Sequence, residues 1–253
     1  MRVRSLLGLA RSVVIYGAPW RQPRLRRFYR RFVASGDLVF DVGAHVGDRS
    51  VAFAALGARV IALEPQPGPY RYLCWRLRSA ARVEVRAEAL GDTPGRARLA
   101  ISDRHPTLAT LSREWREGIG VRNPDFSQVE WGSGVEVRVT TLDALIAKYG
   151  IPAFCKIDVE GHEAAVLGGL SQPLPALSFE FVAGGEAVAL ACLDRLDALG
   201  RYCYNLAPGE RRRLMFDDWV SAGAIAQWIR QNASEVGSGD VYARLGRYRE
   251  SNE

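Results

Sequence analysis

The sequence predicts an α/β fold with a mostly parallel twisted sheet, helices on both faces and a C-terminal antiparallel hairpin. Three observations predict it. Short apolar runs alternate with helix-length segments from residue 38 to residue 199. Those runs are apolar almost throughout, as strands buried on both faces are. No internal repeat or low-complexity linker divides the 253 residues, a length that suits one domain with a large core.

Residues 1–36 read as a basic helical arm. They hold nine arginines and no acid, so the rest of the chain sums to −3 against a total of +6. Such an arm suits an anionic membrane surface, a nucleic acid or an acidic substrate. The plainer alternative is a solvated face, because only Lys148 and Lys156 are lysines and arginine is the chain's default cation. Arg2 and Arg4 precede an apolar stretch, as in a secretion signal. Arg11 interrupts it and no small-residue cleavage site follows, so the segment reads as a helix of the mature protein.

Residues 37–253 read as one domain. Leu38 to Val42 is a buried strand ending at a glycine turn, and 49–56 is a helix closed by Gly57. Arg59 to Leu63 is the second strand, leading into Glu64. A helix follows over 69–79, then a third strand over 83–87 that delivers Glu88 and Ala89. After a turn at 91–95 comes an added strand, 96–102. Residues 104–134 are polar and weakly patterned, and read as a long loop-rich excursion. Beyond it lie a strand (135–140), a helix (142–149) and a core strand (153–157) ending in Asp158. A helix runs from about Gly161 to 170, a strand containing Glu180 over 176–182, and a helix over 188–199 stopped by Gly200. The tail reads as a hairpin of 202–206 with 213–216, then a tryptophan-containing helix over 217–230.

Cys74, Cys155, Cys192 and Cys203 form no close pair. They read as reduced core thiols of a cytoplasmic protein, with no zinc site. No apolar run is long enough to span a bilayer.

The turn Asp41-Val42-Gly43-Ala44-His45-Val46-Gly47 carries the chemistry. A dinucleotide site starting at Gly43 needs glycine at 45 and 48, where this chain has His45 and Asp48. An acid at 48 also repels a pyrophosphate from the helix start. A donor without phosphate fits better. S-adenosylmethionine offers a cationic methionine end to Asp41 and ribose hydroxyls to Glu64, one β-α-β unit later. Glu88 and Ala89 would meet the adenine edge.

These segments, with Leu63-Glu64-Pro65-Gln66-Pro67, Thr141-Leu142-Asp143 and Lys156-Ile157-Asp158-Val159-Glu160-Gly161-His162-Glu163, resemble the FkbM family of methyltransferases. The resemblance runs from about residue 37 to 182, with the motifs in family order. His45 stands where the family often has Asn. The resemblance implies a single Rossmann-like methyltransferase domain that uses S-adenosylmethionine, mostly for O-methylation of natural products, sugars or glycans. Asp41, Gly43 and Glu64 would contact the donor, with Ala44, His45, Gly47, Pro65, Glu88 and Ala89 completing its site.

Methyl transfer to a hydroxyl needs a base, and Asp158, Glu160 and His162 are the candidates. Glu163 suits a helix start. Lys156 suits an ion pair or a snorkelling side chain. Asp158 and Glu180 could supply oxygen ligands to a divalent metal, but no spacing demands one and none is expected. His105 and residues 107–110 are expected to line the acceptor pocket. The acceptor is read as a small molecule or glycan. The alternatives are a nucleic-acid methyltransferase recruited by the basic arm and a non-catalytic donor-binding module.

Overall fold

The computed structural model describes residues 3–102, 108–132, 134–209 and 211–246. The chain begins with α1 (Val3–Tyr16), a 3-10 turn (Pro19–Arg21) and α2 (Gln22–Tyr29). It continues with β1 (Leu38–Val42), α3 (Asp48–Ala55), β2 (Arg59–Leu63), α4 (Pro67–Leu77), β3 (Val83–Arg86) and β4 (Glu88–Leu90). Then come β5 (Gly95–Ile101), β6 (Ala109–Thr110), α5 (Arg113–Arg122), β7 (Val135–Thr140) and α6 (Leu142–Tyr149). The last third holds β8 (Phe154–Ile157), α7 (Glu163–Gly168), β9 (Ala176–Val182), α8 (Glu186–Leu199), β10 (Tyr202–Pro208), α9 (Ala222–Val236) and β11 (Ser238–Leu245).

Seven strands form the main sheet in the order β10-β11-β9-β8-β1-β2-β3. β1 lies parallel between β2 and β8, so Asp41 stands beside Ala62 on one side and Lys156 on the other. Only β11 runs against its neighbours. Apolar residues on the two faces bury two clusters. One joins Phe40, Ile61 and Phe179 to α6 through α9. The other joins Val39, Val60 and Phe154 to α2, α3 and α4. This double burial explains the continuous apolar runs. A smaller sheet, β4-β7-β5-β6, stands beside the main one.

The helices start where the sequence supplies caps. Thr141 accepts the Ala144 N–H at 3.1 Å and opens α6, with Asp143 in its first turn and Lys148 in its last. Ser221 does the same for α9 through the Ala224 N–H.

Three expectations need correction. The hairpin pairs Tyr202–Pro208 with Ser238–Leu245, on the far side of α9, and not with 213–216. Residues 213–216 instead run along β10, where the Met215 N–H meets the Leu206 carbonyl at 2.7 Å. The longer β11 wins because it bonds on both edges, to β10 and β9. The excursion over 104–134 carries a ten-residue helix, α5, capped by Ser112 and anchored by buried Trp115 and Ile119 one turn apart. The third strand stops at Arg86, one residue short of the expected 87, and Glu88 and Ala89 follow it as β4, paired with β7 beside the main sheet.

The basic N-terminal segment is helical, and its second half is core. Leu25, Phe28, Tyr29 and Val33 are buried against Phe53 and Phe154. No helix among the described residues is long and apolar enough to cross a membrane.

Candidate active site

A cavity opens at the carboxyl ends of β1, β2 and β8. It is lined by Asp41, Gly43, Ala44, His45, Glu64, Pro65, Glu88, Ala89, Asp158, Glu160 and His162, all expected from the sequence. Gly47 is the exception. It takes φ +77° at the start of α3, and a Cβ there would lie 2.3 Å from Leu73 Cδ1. Its glycine serves helix packing, not the cavity. His105 and Thr107 lie outside the described residues. Ala109, two residues on, does line the cavity.

The turn after β1 is tied to the end of β2. The N–H groups of Gly43 and Ala44 both donate to the Leu63 carbonyl, at 3.0 and 2.9 Å. Gly43 has φ +78°, and a Cβ there would come within 1.8 Å of the Asp158 carbonyl oxygen. Only glycine lets the β1 and β8 ends close on one another here.

Asp41 is buried and accepts a 2.5 Å hydrogen bond from Ser50 Oγ. Burial pushes its carboxyl up to about 6. Glu64 accepts the His45 N–H on Oε2 and the Gln66 N–H on Oε1, both at 2.8 Å. Burial raises it to about 7 even so. His45 takes φ +48°, and its Nε2 is buried with no hydrogen-bond partner. Burial lowers its imidazole to about 4, so it is neutral near pH 7. Its ring meets Tyr16 edge-on at 6.2 Å.

Across the cavity, fully buried Lys156 donates to Asp158 Oδ2 at 3.0 Å and to Asp240 Oδ1 at 3.1 Å. The ion-pair reading of Lys156 therefore holds. Burial works against the Asp158 carboxylate, but Lys156 and Arg49 outweigh it and hold its pKa below the ordinary range. Asp158, Glu160 and Glu180 bring carboxylate oxygens within 4.8 Å of one another, a set of hard donors that could hold a divalent cation. Burial and the neighbouring Asp158 charge push Glu160 and Glu180 well above the ordinary carboxylate range. Burial lowers the His162 imidazole, against the pull of Asp92. Glu163 turns away to accept the Val159 N–H at 2.9 Å, which fixes the turn at the head of α7. Glu88 is engaged by Arg86, whose Nε donates at 2.6 Å, so Ala89 meets the cavity free of that pairing.

Several lining residues were not expected. Tyr16, Arg49, Leu99 and Leu111 come from α1, α3, β5 and the excursion, and Gly209, Ser238, Gly239 and Asp240 come from the C-terminal hairpin. Asp240 alone left a trace in the sequence, as an acid within an otherwise strand-like run. The excursion is pinned by Trp115. A Cβ on Gly161 or on Gly185 would sit 2.3 or 2.1 Å from its ring.

A parallel sheet with one reversed strand, and a glycine turn and two buried acids at its carboxyl edge, define a Rossmann-like methyltransferase fold. The chain belongs to the FkbM methyltransferase family: the methyltransferase FkbM domain matches residues 41–187, more than half of it. It is 34% identical over 158 residues to the 31-O-demethyl-FK506 methyltransferase FkbM of Streptomyces tacrolimicus. That match covers 53% of this chain and 60% of the relative, so the chain spans less than two thirds of the relative's length. Among solved structures, the precorrin-6y C5,15-methyltransferase of Geobacter metallireducens aligns at TM-score 0.46 and 12% identity, over 89% of this chain and 87% of that one. A SAM-dependent O-methyltransferase of Thermotoga maritima aligns at TM-score 0.42 and 13% identity, over 92% and 67%.

Proposed function

We propose that this chain transfers a methyl group from S-adenosylmethionine to a hydroxyl oxygen of a small molecule, a natural product, sugar or glycan. The observation that carries the donor half is Glu64. Each of its oxygens is fixed by one backbone N–H, and it lines the cavity at the end of the second strand. A carboxylate so held keeps lone pairs directed outward, suited to two vicinal ribose hydroxyls. The relative named as acting on a 31-O-demethyl compound supports the hydroxyl half.

The donor set fits. Asp41 offers a negative charge to the methionine ammonium, and the main chain at Ala89 offers polar groups to adenine. The unpartnered Nε2 of His45 offers one more polar atom. Bound there, the donor supplies a methyl on a positively charged sulfur, open to in-line attack by oxygen. His162 accepts the proton that leaves the acceptor hydroxyl, because its lowered pKa leaves the imidazole unprotonated near pH 7 and free to take one. Asp158 is a poorer base, since Lys156 holds it as a weakly basic anion. Burial and the Asp158 charge disfavour the ionised forms of Glu160 and Glu180, which suits them to orient the acceptor by hydrogen bonds.

Calorimetric titration with S-adenosylmethionine tests the donor half. A donor-consumption assay across hydroxylated sugars, polyketide-like alcohols and RNA tests the acceptor half. Binding that Glu64→Ala abolishes, with turnover on an alcohol, is expected. No donor binding overturns the reading, and turnover on RNA alone replaces it with the nucleic-acid alternative.

A further inference from the structure

The N-terminal third has a surface that methyl transfer leaves unused. Residues 1–82 hold fifteen arginines, no lysine and four acids. Three of those acids, Asp41, Asp48 and Glu64, are buried. The fourth, Asp37, is turned to the Ala34 N–H at 2.8 Å. The outer surface here is therefore cationic almost without relief. Set in it are large apolar side chains facing water: Val14 at 71% exposure, Ile15 at 42%, Trp20 at 75% and Trp75 at 59%.

These side chains belong to adjoining elements. Arg76 of α4 donates from Nη1 to the Val46 carbonyl and from Nη2 to the Gly17 carbonyl, at 2.9 and 3.5 Å, which staples the end of α1 to α4. Trp75 precedes that arginine, and Trp20 lies in the 3-10 turn just after Gly17. Arg11 on α1 and Arg71 and Arg78 on α4 and its C-cap are exposed, as is Arg24 in the first turn of α2.

We propose that the surface formed by the end of α1, the Pro19–Arg21 turn and the outer side of α4 docks on an anionic lipid bilayer. Exposed indoles and aliphatic side chains among arginines match the headgroup boundary, where the rings sit at the interface and the guanidinium groups meet lipid phosphates. A second copy of the chain is disfavoured, since two such surfaces repel. A nucleic acid fits less well. Base stacking needs an open ring face, and Arg78 already lies over Trp75 at 5.1 Å from its centroid. Val14 and Ile15 offer bases nothing. Tyr16 directly follows Ile15 and lines the cavity, so docking holds the cavity mouth close to the bilayer.

Co-sedimentation of the full chain with vesicles decides it. Vesicles of phosphatidylcholine with phosphatidylglycerol should carry the protein down, and phosphatidylcholine alone should not. High salt should weaken the binding, and tryptophan fluorescence should shift to the blue. Trp20→Ser with Trp75→Ser, and separately Arg71→Glu with Arg78→Glu, should each lower partitioning by about tenfold or more. Donor affinity and circular dichroism should stay unchanged. No sedimentation with the anionic vesicles, or sedimentation of both variants equal to that of the native chain, overturns the proposal. So does single-stranded RNA that strips the protein from vesicles and binds the tryptophan variant as tightly as the native chain.

Discussion

Glu64 and His45 are joined by a 2.8 Å hydrogen bond from the His45 main chain to Glu64 Oε2. The bond ties the glycine turn after β1 to the acid after β2, so one side chain both shapes the turn and faces the cavity. Glu64→Gln keeps the size but turns an NH2 toward one of two N–H donors. It should weaken S-adenosylmethionine binding by at least about tenfold, or roughly 1.4 kcal/mol. Calorimetry on the folded variant reads this directly. Native affinity in Glu64→Gln would remove Glu64 from the donor site.

Donor binding should depend on pH with a fixed sign. Burial raises Asp41 to about 6 and Glu64 to about 7 in the free protein. A cationic donor end favours the charged form of Asp41, so binding releases protons below those values. Affinity should rise from about pH 5 to about pH 7, by up to tenfold per unit for each group, and then level off. Asp41→Asn should flatten the lower part of the curve. A pH-independent dissociation constant would show that neither carboxyl ionises on binding.

His162 should separate chemistry from binding. His162→Gln should lower kcat by on the order of 10²- to 10⁴-fold and leave donor affinity alone. Because burial lowers this imidazole below its ordinary value, native kcat should hold level through neutral pH and fall only in acid. Loss of that acid limb in His162→Gln identifies the base. An unchanged kcat would pass the role to the carboxylates around Asp158.

Much of this site was legible because it is local. Asp41, Gly43 and Glu64 sit where parallel strands end, and a strand end is readable from an apolar run that stops. That β1, β2, β8 and β9 run parallel follows from the same alternation. What stayed hidden is long-range. Nothing near Asp240 in the sequence says that it meets Lys156, 84 positions away. The same holds for Tyr16 beside His45. The sequence points to the wrong hairpin partner because 213–216 also reads as a strand, and only pairing with β9 decides for Ser238–Leu245. In α5, two glycines and three arginines hide the spacing of Trp115 and Ile119.

Trp115 offers a test of the excursion. It is buried, and Gly161 and Gly185 close on its ring without side chains. Trp115→Ala should cost about 3–5 kcal/mol of stability. Gly161→Ala should act in the same direction, because it adds a clash with that ring at a φ of +84°. Since Ala109 and Leu111 lead from the excursion into the cavity, milder changes such as Trp115→Phe should raise the acceptor KM more than the donor Kd. Thermal unfolding and steady-state kinetics measure both.

Lys156 holds the last test, because its removal should reverse the sign of the contribution Asp158 makes to the pH dependence of stability. In the native protein, Asp158 sits below its ordinary pKa because Lys156 and Arg49 outweigh burial. Its contribution is therefore present at neutral pH and lost as pH falls through the depressed value. Lys156→Met fills the space but leaves Asp158 and Asp240 without the ammonium they share. Removing one member of a buried pair costs about 3–5 kcal/mol. Burial then dominates at Asp158, whose pKa should rise above the unfolded value, so the variant should lose stability as pH increases between the two. Asp41 and Glu64, both raised by burial, act alike in the two proteins, so chemical denaturation should show the stability gap between native chain and variant widening from about pH 5 to about pH 8. Equal loss at both values would mean that packing, and not the charge on Lys156, is what that position supplies.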